Sequence, residues 1–232
     1  MKEKYLQKLL TQKNNPLWEK IENKDNINII IWDNNFSELF SDDYTTEFRL
    51  NSLNINSFNH ELCHVYINQV FGGIFPTLKL RMPYELNNYI TRNCLQHISN
   101  CIEHKLFFDL YLEIGGESEQ FVSDFYLRKG NNFHLFHRSV SPNNIDGYLG
   151  NLFSILGDCN TNMDYSKEIN GFRKLSPSIF EASKTLLCEI IDIGICDQLE
   201  DFGVNEEGVF INKTQSNSCE DFWNVVFDEM NL

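Results

Sequence analysis

Residues His60-Glu61-Leu62-Cys63-His64 set two imidazoles four positions apart, with a carboxylate directly after the first. Four positions on a helix are a little more than one turn, so both rings project from one face and can grip a single ion. Glu61 then lies beside them, where a carboxylate can take a proton from a water on that ion and later hand it to a leaving amine. Five residues therefore supply two metal ligands and a base.

That chemistry requires a helix, and the flanks provide for one. Residues 57–71 contain neither Gly nor Pro, and Gly72-Gly73 follow as a stop. Ser57 is the expected N-cap, its hydroxyl accepting from a first-turn N–H. Phe58, Leu62 and Val65, with Ile67, Val70 and Phe71, give the helix a largely apolar side for a core. The bland alternative is a buried helix whose histidines only satisfy hydrogen bonds.

Upstream, the pattern predicts a short amphipathic helix from Glu3 to Gln12 and a second from Pro16 to Glu22. Residues 26–32 read as a strand, buried at its apolar end, and residues 44–50 as a second strand beyond an acidic, polar loop. Strands leading into a helix with His-Glu-x-x-His resemble the zincin superfamily of metallopeptidases. The resemblance covers roughly residues 26–113, and only the five-residue motif in it is specific. It implies an α+β fold, predominantly helical, with a small mixed sheet packed on the active-site helix. It also implies Zn2+ as cofactor and a peptide or protein as substrate. Tyr44 to Leu50 becomes the expected edge strand, open to strand addition by an extended peptide. The metzincin branch is excluded, because its later Gly and His positions are Ile67 and Val70 here.

A catalytic zinc needs a third protein ligand and an open position for water. Residues 84–113 read as a long helical stretch in which His97, Asn100, Glu103 and His104 concentrate coordinating groups. His97, Asn100 and His104 share a face at i, i+3 and i+7, whereas Glu103 lies about 100° round from His104. Resemblance to the gluzincin branch implies Glu103 as the ligand. Resemblance to other His-Glu-x-x-His families, where an Asn-x-x-Glu-His helix ends on its ligand, implies His104, which is preferred here for its place on the polar face. Asn100 or His97 would then support a ligand from behind. For the oxyanion of an attacked carbonyl the sequence offers Tyr126, His134, His137, Arg138 and Tyr165 without choosing among them.

Composition bounds the remainder. A chain of 232 residues with 42% hydrophobic content can bury a sizeable core, and a net charge of −14 argues against binding a phosphate backbone. Seven cysteines without framework spacing suggest reduced thiols, and the charged N-terminus lacks an apolar signal core. No apolar run is long enough to cross a bilayer, so neither nucleic acid nor membrane is expected as a partner, and the expected location is cytoplasmic. Beyond Ser141-Pro142-Asn143-Asn144 the pattern predicts a helix capped by Ser176 with Pro177 at its first position, a hairpin over residues 204–212, and a final helix over residues 219–230. Three segments are expected: a helical N-terminus over 1–25, a metal-binding core over 26–130, and a mainly helical part over 131–232.

Together these features predict a zinc hydrolase, most simply a peptidase, with Glu61 as base, His60 and His64 on the metal, and His104 or else Glu103 completing the shell. The competing expectation is a non-catalytic interaction or regulatory module on the same scaffold.

Overall fold

The computed structural model describes residues 2–32, 37–41, 45–71, 73–121, 144–159, 164–193, 202–204 and 210–231. These residues are mostly helical with a small mixed sheet, an α+β arrangement. By contacts the chain falls into two compact units, Met1–Gln69 with Phe107–Arg128, and Val70–Leu106 with Lys129–Leu232. The borders at 69/70 and 106/107 fall within helical residues.

The first unit opens with α1 (Lys2–Leu9) and α2 (Asn15–Lys20), the latter with Pro16 in its first turn, where a missing N–H costs nothing. Three strands follow: β1 (Ile27–Ile31), β2 (Glu38–Ser41) and β3 (Thr46–Leu50), in the order β1-β3-β2. β1 runs parallel to β3 with Ile29 opposite Phe48, and β2 runs antiparallel with Glu38 opposite Arg49. The strand expected at the edge is therefore the centre of the sheet, paired on both sides. What hid this is β2, four residues of which three are exposed, too short and too polar on the whole to signal a strand. Its register is set from β3, where Arg49 pairs with Glu38 at 2.9 Å and stacks on Phe40 at 4.4 Å and Trp32 at 4.8 Å. β1 is likewise less buried than its apolar run suggests. Ile27 and Ile29 face the core, but Ile30, Ile31 and Trp32 are exposed, as an edge strand allows.

The core face of the sheet meets α3 (Ile55–Phe71), where the ring of Phe48 lies 5.6 Å from that of Phe58, and Trp18 of α2 lies 6.0 Å from Phe58 on another side. α3 starts before Ser57. Asn54 is its cap, accepting the Asn56 N–H on Oδ1 at 2.8 Å, while its carbonyl takes the Phe58 N–H. α3 is also not one-sided: every residue from Glu61 to Ile67 is buried. A helix enclosed all round is a central element, and its polar groups must find partners inside. Asn59, fully buried, does so by accepting from the Asn14 side chain at 2.7 Å and donating to the Ile114 carbonyl at 3.2 Å. One amide thus ties α3 to the α1–α2 link and to Ile114.

α5 (Arg92–Glu113) is shorter than the expected stretch, because Tyr84–Asn88 forms a separate 3₁₀ turn. Thr91 caps it, its hydroxyl accepting the Cys94 N–H at 3.1 Å. At its other end the Gly116 N–H reaches the Tyr111 carbonyl and the Gly115 N–H the Leu112 carbonyl. This is a Schellman ending, and Gly115 at φ +93° takes the left-handed position such an ending demands.

In the second unit α4 (Ile74–Arg81), the first part of α5, α6 (Ile145–Leu156), α7 (Ser166–Leu175), α8 (Pro177–Ile193) and α9 (Lys213–Glu229) pack around buried aromatic residues. Ser176 caps α8 with Pro177 at its first position, as the sequence predicts. β4 (Phe202–Val204) pairs antiparallel with β5 (Phe210–Asn212), and Trp223 of α9 is fully buried with its indole N–H on the Leu78 carbonyl at 2.8 Å. No helix among the described residues is long and apolar enough to cross a membrane.

Candidate metal centre

The helical turn from His60 to His64 does what its spacing requires. The two imidazole rings lie edge to face with centroids 4.8 Å apart on one side of α3. α5 contributes His104, and the nitrogens that the three histidines offer all lie within 4.8 Å of one another. Among the described residues no other group of three or more His, Cys, Asp or Glu side chains gathers in this way.

The donor set fits a divalent ion. A tetrahedral shell with Zn–N bonds of about 2.0–2.1 Å sets its nitrogens about 3.4 Å apart, inside the 4.8 Å within which the three histidines' donor atoms lie. Imidazole nitrogen suits zinc, copper, iron and nickel alike. His64 and His104 are buried, each 6% exposed, while the His60 side chain keeps 21% of its surface.

Aromatic rings wall the histidines. Phe107, one turn after His104 on α5, stands edge-on to His64 at 4.8 Å and to His60 at 5.7 Å, and Phe121 lies 5.4 Å from His60. Phe121 is itself held by Phe108 at 4.9 Å and Tyr111 at 4.8 Å. Such a shell controls solvent access and local dielectric at a metal site. The sequence carried a signal for it in the Leu-Phe-Phe-Asp-Leu-Tyr run after Lys105, which reads as ordinary helix core until the histidines are placed beside it.

Glu61 is 1% exposed. Its Oε1 lies 3.2 Å from His60 Nδ1, and its Oε2 is buried without a hydrogen-bond partner. An unmatched buried carboxylate oxygen is expensive, so it marks a place where a donor belongs. Cys63, fully buried, stands outside the cluster, and burial together with the neighbouring Glu61 pushes its thiol well above the ordinary range.

The remaining predicted residues go elsewhere. Glu103 is buried and accepts from the Ser99 hydroxyl at 2.8 Å, and the histidine cluster does not include it. His97 turns to α6, with Nε2 2.6 Å from Ser154 Oγ and 3.2 Å from the Gly150 carbonyl. Asn100 is exposed. His97 does not take the supporting place expected of it, because a shared helical face aligns side chains in angle while seven residues still separate it from His104 by about 10 Å along the axis. The Tyr165 hydroxyl donates to Asp158. Tyr126, His134, His137 and Arg138 lie outside the described residues.

No protein-family model, no curated protein and no solved structure matches this chain.

Proposed function

We propose that this protein is a zinc-dependent hydrolase, resembling the zincin metallopeptidases, with His60, His64 and His104 as the metal ligands and Glu61 as general base. The observation that carries the reading is the Glu61 carboxylate, buried beside a ligand histidine with Oε2 lacking a hydrogen-bond donor. Zinc held by the three histidines would supply Lewis acidity and a water acidic enough to lose its proton near neutral pH. Glu61 Oε2 would be the acceptor for that proton, and the same oxygen could return it to a departing amine. The ring edges of Phe107 and Phe121 exclude bulk water from the exchange. A peptide or protein is the substrate class this chemistry favours, and the net charge of −14 speaks against nucleic acid. A cytoplasmic location belongs to the same proposal.

The test is Glu61→Gln. Protein purified without a histidine tag should hold close to one zinc per chain in both forms, and only the parent should turn over a peptide library. Equal activity in parent and variant would remove Glu61 from the chemistry. A second reading, a metal-holding interaction or regulatory module without turnover, is favoured by the enclosure of Glu61, His64 and His104, none more than 6% exposed. It predicts that zinc raises the melting temperature while parent and Glu61→Gln are equally inactive.

A further inference from the structure

We infer that Glu61 is also the positioning residue for His60, fixing the proton on Nδ1 so that the Nε2 lone pair is the one presented to the metal. The inference deepens the metal-centre reading and rests on it for its functional consequence.

Neighbouring positions on a helix point about 100° apart and do not face each other, so a contact between the side chains of residues 60 and 61 does not follow from helix spacing. Here Glu61 Oε1 and His60 Nδ1 lie 3.2 Å apart, which requires both side chains to turn toward one another. A carboxylate only accepts hydrogen bonds, so Nδ1 is the donor and carries the proton. Nε2, at the far end of the ring, is then the nitrogen that carries no proton and can coordinate. Metal-bound histidines are ordinarily oriented in this manner by a carboxylate or carbonyl on the other nitrogen.

His60 is the ligand for which this matters most. It is the most exposed of the three, its side chain 21% accessible against 6% for the His64 and His104 residues, so water competes most at its ring for the choice of tautomer. The two oxygens of Glu61 thus divide the work. Oε1 holds the ligand, and Oε2, buried and without a partner, remains for the reacting water.

Two measurements test the assignment. Long-range 1H–15N spectra of the histidine rings in metal-free protein at pH 8 should show His60 protonated on Nδ1 in the parent and in Glu61→Gln, whose amide oxygen still accepts, but not in Glu61→Ala. Competition against a chelator should then show zinc bound roughly 10–100-fold more weakly by Glu61→Ala and within a few-fold of the parent by Glu61→Gln. The inference is overturned by a parent His60 protonated on Nε2, by Glu61→Ala binding zinc as tightly as the parent, or by Glu61→Gln losing as much affinity as Glu61→Ala, since charge rather than orientation would then be responsible. A parent that takes up no zinc overturns the metal-centre reading instead, and the spectra of metal-free protein still decide the contact.

Discussion

α5 carries two histidines seven residues apart, and they meet different chemistry. His97 lies against α6, where a hydroxyl, a carbonyl and the Cys101 thiol at 3.7 Å surround its Nε2. His104 lies in the cluster with two further histidines from α3. Residue type and helical angle are nearly the same for the two. The surroundings make one a hydrogen-bonded packing residue and the other a member of a cluster that could hold an ion, because a metal site needs several lone pairs converging within a few ångströms and no single helix face supplies them.

The largest effect that would sharpen this contrast is Phe107→Ala. It removes the apolar wall from one histidine site alone and should destabilise the protein by about 3–5 kcal/mol, read from urea midpoints. A loss below about 1 kcal/mol would mean the enclosure is loose. Next comes His104→Ala, which should weaken zinc binding by more than the roughly 100-fold that losing a supporting residue costs, while His97→Ala leaves affinity unchanged. Glu103→Ala should fall between them. Equal losses for His97→Ala and His104→Ala would erase the distinction between the two sites, and a larger loss for Glu103→Ala would move the third ligand.

Smaller effects belong to the His97 side. Ser154→Ala should cost about 1–2 kcal/mol with zinc content unchanged, since it removes a part-buried hydrogen bond at 2.6 Å and nothing near the cluster. A drop in bound zinc would contradict the separation. The smallest effect is that of Cys101, whose thiol burial raises from 9.0 to about 12. The folded state then holds the proton more tightly than the unfolded state. The stability this contributes is complete below pH 9 and is lost as pH rises toward 12. Urea midpoints should decline over that window, and less steeply in Cys101→Ala. Identical slopes would show that Cys101 titrates as an ordinary thiol.

Much of the local structure was readable from residue patterns. Pro16 and Pro177 announced helix starts, Ser176 announced a cap, and residues 57–71 without a breaker announced α3. These are one-dimensional signals, since caps and breakers act on backbone groups only a few positions away. The errors were those of elements judged by their own composition. Residues 46–50 became the sheet centre because β2, almost without an apolar pattern, is held there by Arg49. The cap moved from Ser57 to Asn54, both acceptable residue types, because the entry of the chain into α3 decides which side chain meets the first N–H groups.

For the centre itself, the amino-acid sequence determined the pairing of His60 with His64 and the presence of Glu61 beside them, since helical geometry alone brings side chains four residues apart onto one face. It left the third ligand open between two adjacent residues that point about 100° apart. Tertiary structure decided that His104 joins the cluster while Glu103 meets Ser99. It also turned Glu61 onto His60 and enclosed the histidines in aromatic rings. Those outcomes depend on the angle and depth at which helices pack, and such packing is set by the whole core rather than by the residues of any one segment.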